Sequence, residues 1–231
     1  MDAGLPARLQ AVADYIPPGK TVADVGTDHA LLPVYLVSRG VAPRVIAVEK
    51  APGPLEAARR AVAESGLGGR VEVRAGDGLQ PLAPGEAEVL VLSGMGGRTI
   101  AAILAAGPTV VQSAQTVVVQ PQEPAAPARR WLITHGWFLA DEQLVEDAGR
   151  IYTVIRARPG PAEPVDEVLL EVGPVLAARK HPLLGRYLDG IIRRYEAVLA
   201  GLGRSGRNDL DARRAAVLAR LERLEEIRRC L

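Results

Sequence analysis

Short runs of β-branched and aliphatic residues recur along the first 160 residues, with spacers of helical length between them. They fall at 21–25 (TVADV), 44–48 (RVIAV), 70–73 (RVEV), 88–92 (EVLVL) and 116–119 (TVVV). Continuous apolar runs suit strands covered on both faces. The spacers at 30–39, 54–65, 97–106 and 124–135 are rich in Ala and Leu. The second carries Leu55, Ala58 and Val62 at three- and four-residue spacing and stops at Gly66, a helix terminator. Strand alternating with helix predicts a doubly wound, mainly parallel α/β sheet of the Rossmann-like kind. The segments 137–146 and 150–158 read as two consecutive strands joined by Asp147-Ala148-Gly149. An antiparallel last strand of this sort sets the sheet apart from simple dinucleotide folds. Residues 5–15 read as a short amphipathic helix.

Beyond a Pro- and Gly-rich linker at 159–164, only helical periodicity remains. Leu184, Leu188, Ile191, Tyr195, Val198 and Leu202 form a heptad-like seam. Gly203 to Asp209 makes a turn, and Leu210, Val217, Leu224 and Leu231 follow at seven-residue steps. The expectation is two domains: residues 1–160 around the sheet, and residues 161–231 as a coiled-coil-like helical hairpin. The seam can pair within the hairpin or with a second chain, leaving monomer and homodimer both open. Charge divides the same way. Residues 176–231 hold 13 basic and 7 acidic groups, a net of +6, against −5 for the remainder. A basic appendage on an acidic body suits a polyanionic partner or a solvated helical face. One cysteine, Cys230, excludes an internal disulfide, and no apolar stretch of about 18 residues suggests a membrane span. The reading is therefore cytoplasmic, with no membrane partner.

Ligands of a doubly wound sheet bind outside the carboxyl ends of its strands. Here those ends carry a coherent set. The first gives Asp24-Val25-Gly26-Thr27-Asp28-His29, where Gly26 lets the backbone turn close to a ligand. The second gives Glu49 and Lys50, with Glu49 placed 23 residues after Gly26 to accept ribose hydroxyls. The third gives Gly76-Asp77-Gly78, with Asp77 suited to an adenine amino group. The fourth gives Ser93-Gly94-Met95-Gly96-Gly97, a loop of low bulk open to flat groups. A dinucleotide fingerprint needs G-x-G-x-x-G, but its second and third glycine positions are Asp28 and Leu31. An acidic side chain disfavours a pyrophosphate and tolerates a cationic sulfonium, which selects S-adenosylmethionine as cofactor. There is no phosphate loop, and three scattered histidines with one cysteine offer no metal site.

Together, Asp24-Val-Gly-Thr-Asp-His-Ala, Gly94-Met-Gly-Gly, Gln120-Pro-Gln, Arg130-Trp-Leu and Gly149-Arg-Ile-Tyr resemble the bacterial tRNA (adenine-N1)-methyltransferases that act on position 22 of the D-arm. Arg8-Leu9 and the C-terminal hairpin share the resemblance, which covers nearly the whole chain. One departure is Gln122, where that family is expected to carry Asn. The resemblance implies methyl transfer to adenine N1 of a folded tRNA. Asp28 is then the candidate to stabilise the charge that develops on the ring or to take a proton from the 6-amino group. The other reading of Asp28 is a helix cap. His29 is a candidate contact to base or cofactor. Arg8, Arg98 and Gln120 near the pocket, and Arg193, Arg194, Arg204, Arg207, Arg213 and Arg214 on the tail, are candidates for the tRNA. Met95 either touches an adenine ring or fills a gap, and Trp131 and Trp137 read as core. A methyltransferase for another RNA or a small molecule, or an RNA-binding protein without turnover, are the competing functions.

Overall fold

The computed structural model describes residues 4–202 and 211–231. The chain divides into two compact units, Met1–Pro164 and Val165–Leu231, so the boundary lies at the end of the Pro/Gly linker.

The first unit opens with α1 (Ala7–Asp14) and alternates β1 (Val22–Val25), α2 (Leu31–Ser38), β2 (Val45–Glu49), α3 (Pro52–Glu64), β3 (Val71–Ala75), β4 (Val89–Gly96), α4 (Gly97–Ala106), α5 (Pro108–Ser113), β5 (Thr116–Gln122) and α6 (Ala126–Thr134) before a terminal pair, β6 (Trp137–Asp147) and β7 (Arg150–Pro159). The strands form one seven-stranded sheet in the order β3-β2-β1-β4-β5-β7-β6. β1 to β5 are parallel, and β7 runs antiparallel between β5 and β6. This is the methyltransferase-type sheet that the alternation of runs predicts.

Both sheet faces are buried, which is why the strands read as unbroken apolar runs. On one face Ile100, Leu104, Val111 and Leu132 of α4–α6 pack against Val25, Ile46, Leu90, Leu92 and Ile155. On the other Val12, Leu32, Leu36, Ala58 and Val62 of α1–α3 pack against Val22, Val45, Val89, Val91 and Val118. Each such Val, Leu or Ile side chain, fully buried, contributes about 1.5–3 kcal/mol. Trp137 is in the core and Trp131 packs against it, as expected. A buried ion pair, Arg129 Nε to Glu142 Oε1 at 2.6 Å, ties α6 to β6.

The structure departs from the sequence reading in two places. Residues 93–96 continue β4 across a bulge, with Met95 opposite Pro121 and Gly96 opposite Gln122, instead of forming a free loop. Residues 108–113 form the unexpected helix α5: Val110 and Val111 favour a strand locally, but Pro108 opens a turn whose apolar side the core covers.

The second unit contains α7 (Glu167–Val172), α8 (Pro174–Ala178), α9 (Leu184–Leu202) and α10 (Asp211–Arg229). Asp166 caps α7 by accepting from the Leu169 amide at 2.8 Å. α9 and α10 are antiparallel: Arg228, near the end of α10, pairs with Asp189, near the start of α9, at 3.0 Å. The unit is more than the expected hairpin, because α7 supplies Glu171, which accepts from the Tyr195 hydroxyl at 2.8 Å and pairs with Arg220 at 3.4 Å. The seam is buried at Leu184, Leu188 and Ile191, against Val217, Leu221 and Leu224, but Val198 is 41% exposed. The expected turn at 203–209, with Arg204 and Arg207, lies outside the described residues. No described helix is long and apolar enough to cross a membrane.

Candidate functional site

A cleft of about 570 Å³ opens at the carboxyl ends of β1–β5, within the ~300–1,000 Å³ range of small-molecule sites. Its first wall is the end of β1. Asp24 is 4% exposed, and its Oδ2 accepts from the Thr27 hydroxyl at 2.6 Å. Burial raises the Asp24 carboxyl to about 6; the Thr27 bond lowers it and the Glu49 carboxylate adds to the rise. Gly26 turns the chain at φ +74°, and any Cβ there would meet the Met95 methyl. Only a glycine meets both demands without strain.

The following corner is held in an unusual backbone. Asp28 and Ala30 have φ of 53° and 54°, a left-handed conformation that costs a non-glycine residue about 1–2 kcal/mol. The corner projects the Asp28 and His29 side chains outward, 3.5 Å apart and 68% and 61% exposed. Asp28 does not cap α2: the N-cap is Ala30, with no side-chain cap bond.

Glu49 ends β2, and its residue is 9% exposed. Oε1 accepts from the amides of Lys50 at 2.9 Å and Ala51 at 2.8 Å, and Oε2 accepts from the amide of Asp28 at 3.2 Å. Three of a carboxylate's roughly four acceptor positions are thus filled by backbone, which fixes the carboxylate and joins the β1 and β2 loops. Beyond β3, Asp77 pairs with Lys50 at 3.3 Å, both more than half exposed; such a pair contributes little to stability and is free to open to a ligand. Gly76 and Gly78 line the cleft beside it.

The far side comes from β4, β5, β7 and α1. Ser93, Gly94 and Met95 line it, and a Cβ at Gly94 would meet nothing within 4 Å. Arg8 is there, 3.5 Å from Asp147 of the β6–β7 turn. Gln122 lines the cleft too.

Three of the expected residues lie elsewhere. Gln120 is 0% exposed; its Oε1 accepts from the Ser93 hydroxyl and the Gly94 amide, both at 3.1 Å. It props the end of β4 instead of touching a substrate. Gln122, one pleat repeat further along the same strand face, takes the place at the cleft. Gly96 is taken up in pairing with β5, and Arg98 is exposed on the first turn of α4, outside the lining. Arg193, Arg194, Arg213 and Arg214 are exposed on the second unit. Conversely, Thr99, Ile103 and Tyr152 line the cleft although no strand-end pattern marks them. Thr99 and Ile103 sit on α4, whose pattern reads only as a helix; Tyr152 closes the Gly149-Arg-Ile-Tyr motif.

Comparison with known proteins agrees with this architecture. A methyltransferase-domain family model matches residues 5–155. The tRNA (adenine(22)-N(1))-methyltransferase of Bacillus subtilis is 35% identical over 229 residues, covering 96% of each chain. The crystal structure of the B. subtilis tRNA methyltransferase TrmK superposes with a TM-score of 0.91 at 33% identity, over 97% of this chain and 99% of that one. A Streptococcus pneumoniae protein solved in complex with S-adenosyl-L-methionine superposes with a TM-score of 0.86 at 28% identity, over 96% of this chain and 98% of that one. The chain belongs to the tRNA (adenine(22)-N(1))-methyltransferase family of methyltransferase-domain proteins.

Proposed function

We propose that this protein transfers the methyl group of S-adenosylmethionine to N1 of adenine 22 in the D-arm of tRNA, in the cytoplasm. The observation that carries the reading is a cleft with carboxylates at the ends of β1, β2 and β3, in a chain that matches a tRNA methyltransferase across both of its units.

The donor set fits the cofactor. Acidic side chains at the strand ends suit hydroxyl groups, an amino group and a cationic centre, and Asp28 stands where a pyrophosphate site needs glycine. The open space over Gly94 admits a flat group. In this reading Glu49 receives the ribose, Asp77 receives the adenine amino group once it parts from Lys50, and Asp24 faces the cationic end. Gly26, Thr27, Lys50, Gly76 and Gly78 shape the same half, and Gly94 and Met95 face it from the end of β4. The cofactor supplies an electrophilic methyl on a sulfonium.

Adenine N1 attacks with its own lone pair: the N1–C bond forms as the C–S bond breaks, and positive charge moves onto the ring. The protein's task is chiefly alignment. Asp28 faces that charge with an exposed carboxylate and can accept a proton from the 6-amino group. His29 beside it limits where the base can lie. The target sits inside a folded RNA, so it must be extruded to reach N1. The second unit serves as the docking surface for the tRNA, through exposed Arg193, Arg194, Arg213 and Arg214. The buried part of the α9 seam faces α10 of the same chain, which supports a monomer.

The test is incubation with unmodified bulk tRNA and methyl-labelled S-adenosylmethionine, followed by nucleoside analysis and mapping of the label. 1-Methyladenosine at position 22 is the expected product. Label in another nucleoside, or bound cofactor with no transfer, would reject the reading.

A further inference from the structure

Tyr152 lines the cleft and has no part in the cofactor site just described. Apart from His29, its ring is the one aromatic surface among the lining residues. Its position follows from pairing. β5 and β7 are antiparallel, with Val117 opposite Ala157 and Val119 opposite Ile155. Continuing that register sets Tyr152 level with Gln122, at the same end of the sheet as the other lining residues. The reversed direction of β7 is what brings the start of this strand to the carboxyl ends of the parallel ones.

Tyr152 is also far from the adenosine-binding end. Five strand intervals separate β3, which carries Asp77, from β7. At ~4.8 Å each, that is ~24 Å across the sheet, too far for one adenine to meet both residues. Gln122 is level with Tyr152 in that register, Asp147 lies two residues beyond Val145, the β6 partner of Tyr152, and Arg8 pairs with Asp147. This end of the cleft thus offers a ring face, a guanidinium and a carboxamide, while the other end offers carboxylates.

We propose that Tyr152 is the platform on which the extruded adenine stacks, so that N1 is presented toward the β1–β4 ends; this rests on the tRNA reading above. An extruded base loses its stacking in the RNA and must regain it in the pocket. An aromatic face supplies that contact in a way a carboxamide cannot. Tyr152 is therefore a positioning residue for the acceptor, acting through the π-face and not through its hydroxyl.

Three variants test this: Tyr152→Phe keeps the ring, Tyr152→Leu keeps apolar bulk without a ring, and Tyr152→Ala removes both. Single-turnover transfer to unmodified tRNA is measured at saturating cofactor, with cofactor affinity by calorimetry. Tyr152→Leu and Tyr152→Ala should slow transfer by at least about tenfold, Tyr152→Phe by less than about threefold, and cofactor Kd should stay within about twofold in all three. A tRNA carrying 2-aminopurine at position 22 gives a second readout that a merely structural role would not move. Its fluorescence in complex should be brighter with Tyr152→Leu than with wild type or Tyr152→Phe, because stacking on a ring quenches it. A wild-type rate for Tyr152→Leu, a Tyr152→Phe as slow as Tyr152→Leu, or a parallel loss of cofactor affinity would each overturn the platform. The wild-type protein in the same series separates the two readings. No transfer by wild type overturns the tRNA acceptor and the platform together; wild-type transfer matched by Tyr152→Leu overturns the platform alone.

Discussion

The two ends of the cleft are built on different principles. At the β1–β2 end, Asp24 and Glu49 are almost wholly buried and hydrogen-bonded to Thr27 and to three backbone amides. At the corner proposed to face the acceptor, Asp28 and His29 stand mostly in solvent, and their side chains contact each other at 3.5 Å. The first arrangement is finished before any ligand arrives. The second is fixed in its backbone, by the left-handed corner at residues 28–30, while its side chains stay mostly exposed. A small cofactor that is the same in every cycle rewards rigidity. In the proposed reaction the base leaves an RNA stack before it reaches the site, which rewards side chains that can adjust to it.

The largest effect should come from the exposed half. Asp28→Asn keeps the size and the corner but removes the negative charge. The single-turnover rate at saturating tRNA and cofactor should fall by about 100-fold, the lower end of what a positioned acid or base contributes. The Kd for tRNA should change by less than about threefold, since phosphate contacts dominate it. A wild-type rate would remove Asp28 from the chemistry and leave it as a residue of the loop.

Glu49→Ala probes the buried half and should weaken cofactor binding by about 10- to 100-fold in calorimetric titration, through loss of the one charge-assisted bond that its remaining acceptor position can make to the ribose. It also leaves three amides, those of Asp28, Lys50 and Ala51, without their acceptor. The variant should stay folded by circular dichroism, because these amides lie at the cleft where water can reach them. Unchanged affinity in a folded variant would take Glu49 out of the site.

The same buried half should respond to pH. Burial raises Asp24 from its ordinary value of 3.8 to about 6. The folded state therefore binds a proton more readily than the unfolded chain. Asp24's contribution to stability is full below pH ~4, is lost as pH rises to about 6, and is constant above that. Cofactor affinity runs the other way, because a cationic ligand prefers the ionised carboxylate. Affinity should be about tenfold weaker at pH 5 than at pH 7–8, as one proton must leave a group titrating near 6. Asp24→Asn should flatten that profile. A pH-independent affinity for the wild type would mean that the ligand does not sense Asp24.

The same contrast governs how much of the molecule the sequence discloses. Asp24, Gly26, Glu49 and Asp77 follow apolar runs, so the strand-end rule reaches them from local pattern alone. The mainly parallel alternation and the antiparallel end were legible for the same reason, though the strand order was not. Tyr152 was not, because its place depends on the register between β5 and β7, a tertiary fact. Gln120 misled because a polar residue after a strand looks exposed, whereas here it is buried to hold Ser93 and Gly94. A strand's two-residue period puts Gln120 and Gln122 on one face; only the sheet's edge decides which of them reaches the cleft. On the tail, the seam located the helices but could not announce α7, whose Glu171 holds Tyr195 and Arg220.

That last point sets the size of the smallest effect. Counted by structural unit, Val165–Leu231 holds 13 basic and 10 acidic residues, a net of +3, against −2 for the first unit. Asp166, Glu167 and Glu171 thus reduce the contrast seen from residue 176 onward. Part of the tail's positive charge is also engaged within the unit: Arg220 pairs with Glu167 and Glu171, Arg223 with Glu226 and Arg228 with Asp189. Docking on this unit should therefore rest on few contacts. Arg213→Ala with Arg214→Ala, at the start of α10, should weaken tRNA binding only about three- to tenfold near 0.1 M salt. The slope of log K against log salt should become shallower by roughly one unit or more, as two phosphate contacts and their released counterions are lost. Cofactor affinity should not move. Arg228→Ala is the comparison: it breaks the Asp189 pair and should lower thermal stability slightly while leaving the salt slope alone, since an exposed pair contributes about 0–1 kcal/mol. If Arg213→Ala with Arg214→Ala binds tRNA with the wild-type affinity and slope, and Arg193→Ala with Arg194→Ala does too, the second unit is a structural element and the polyanion docks elsewhere.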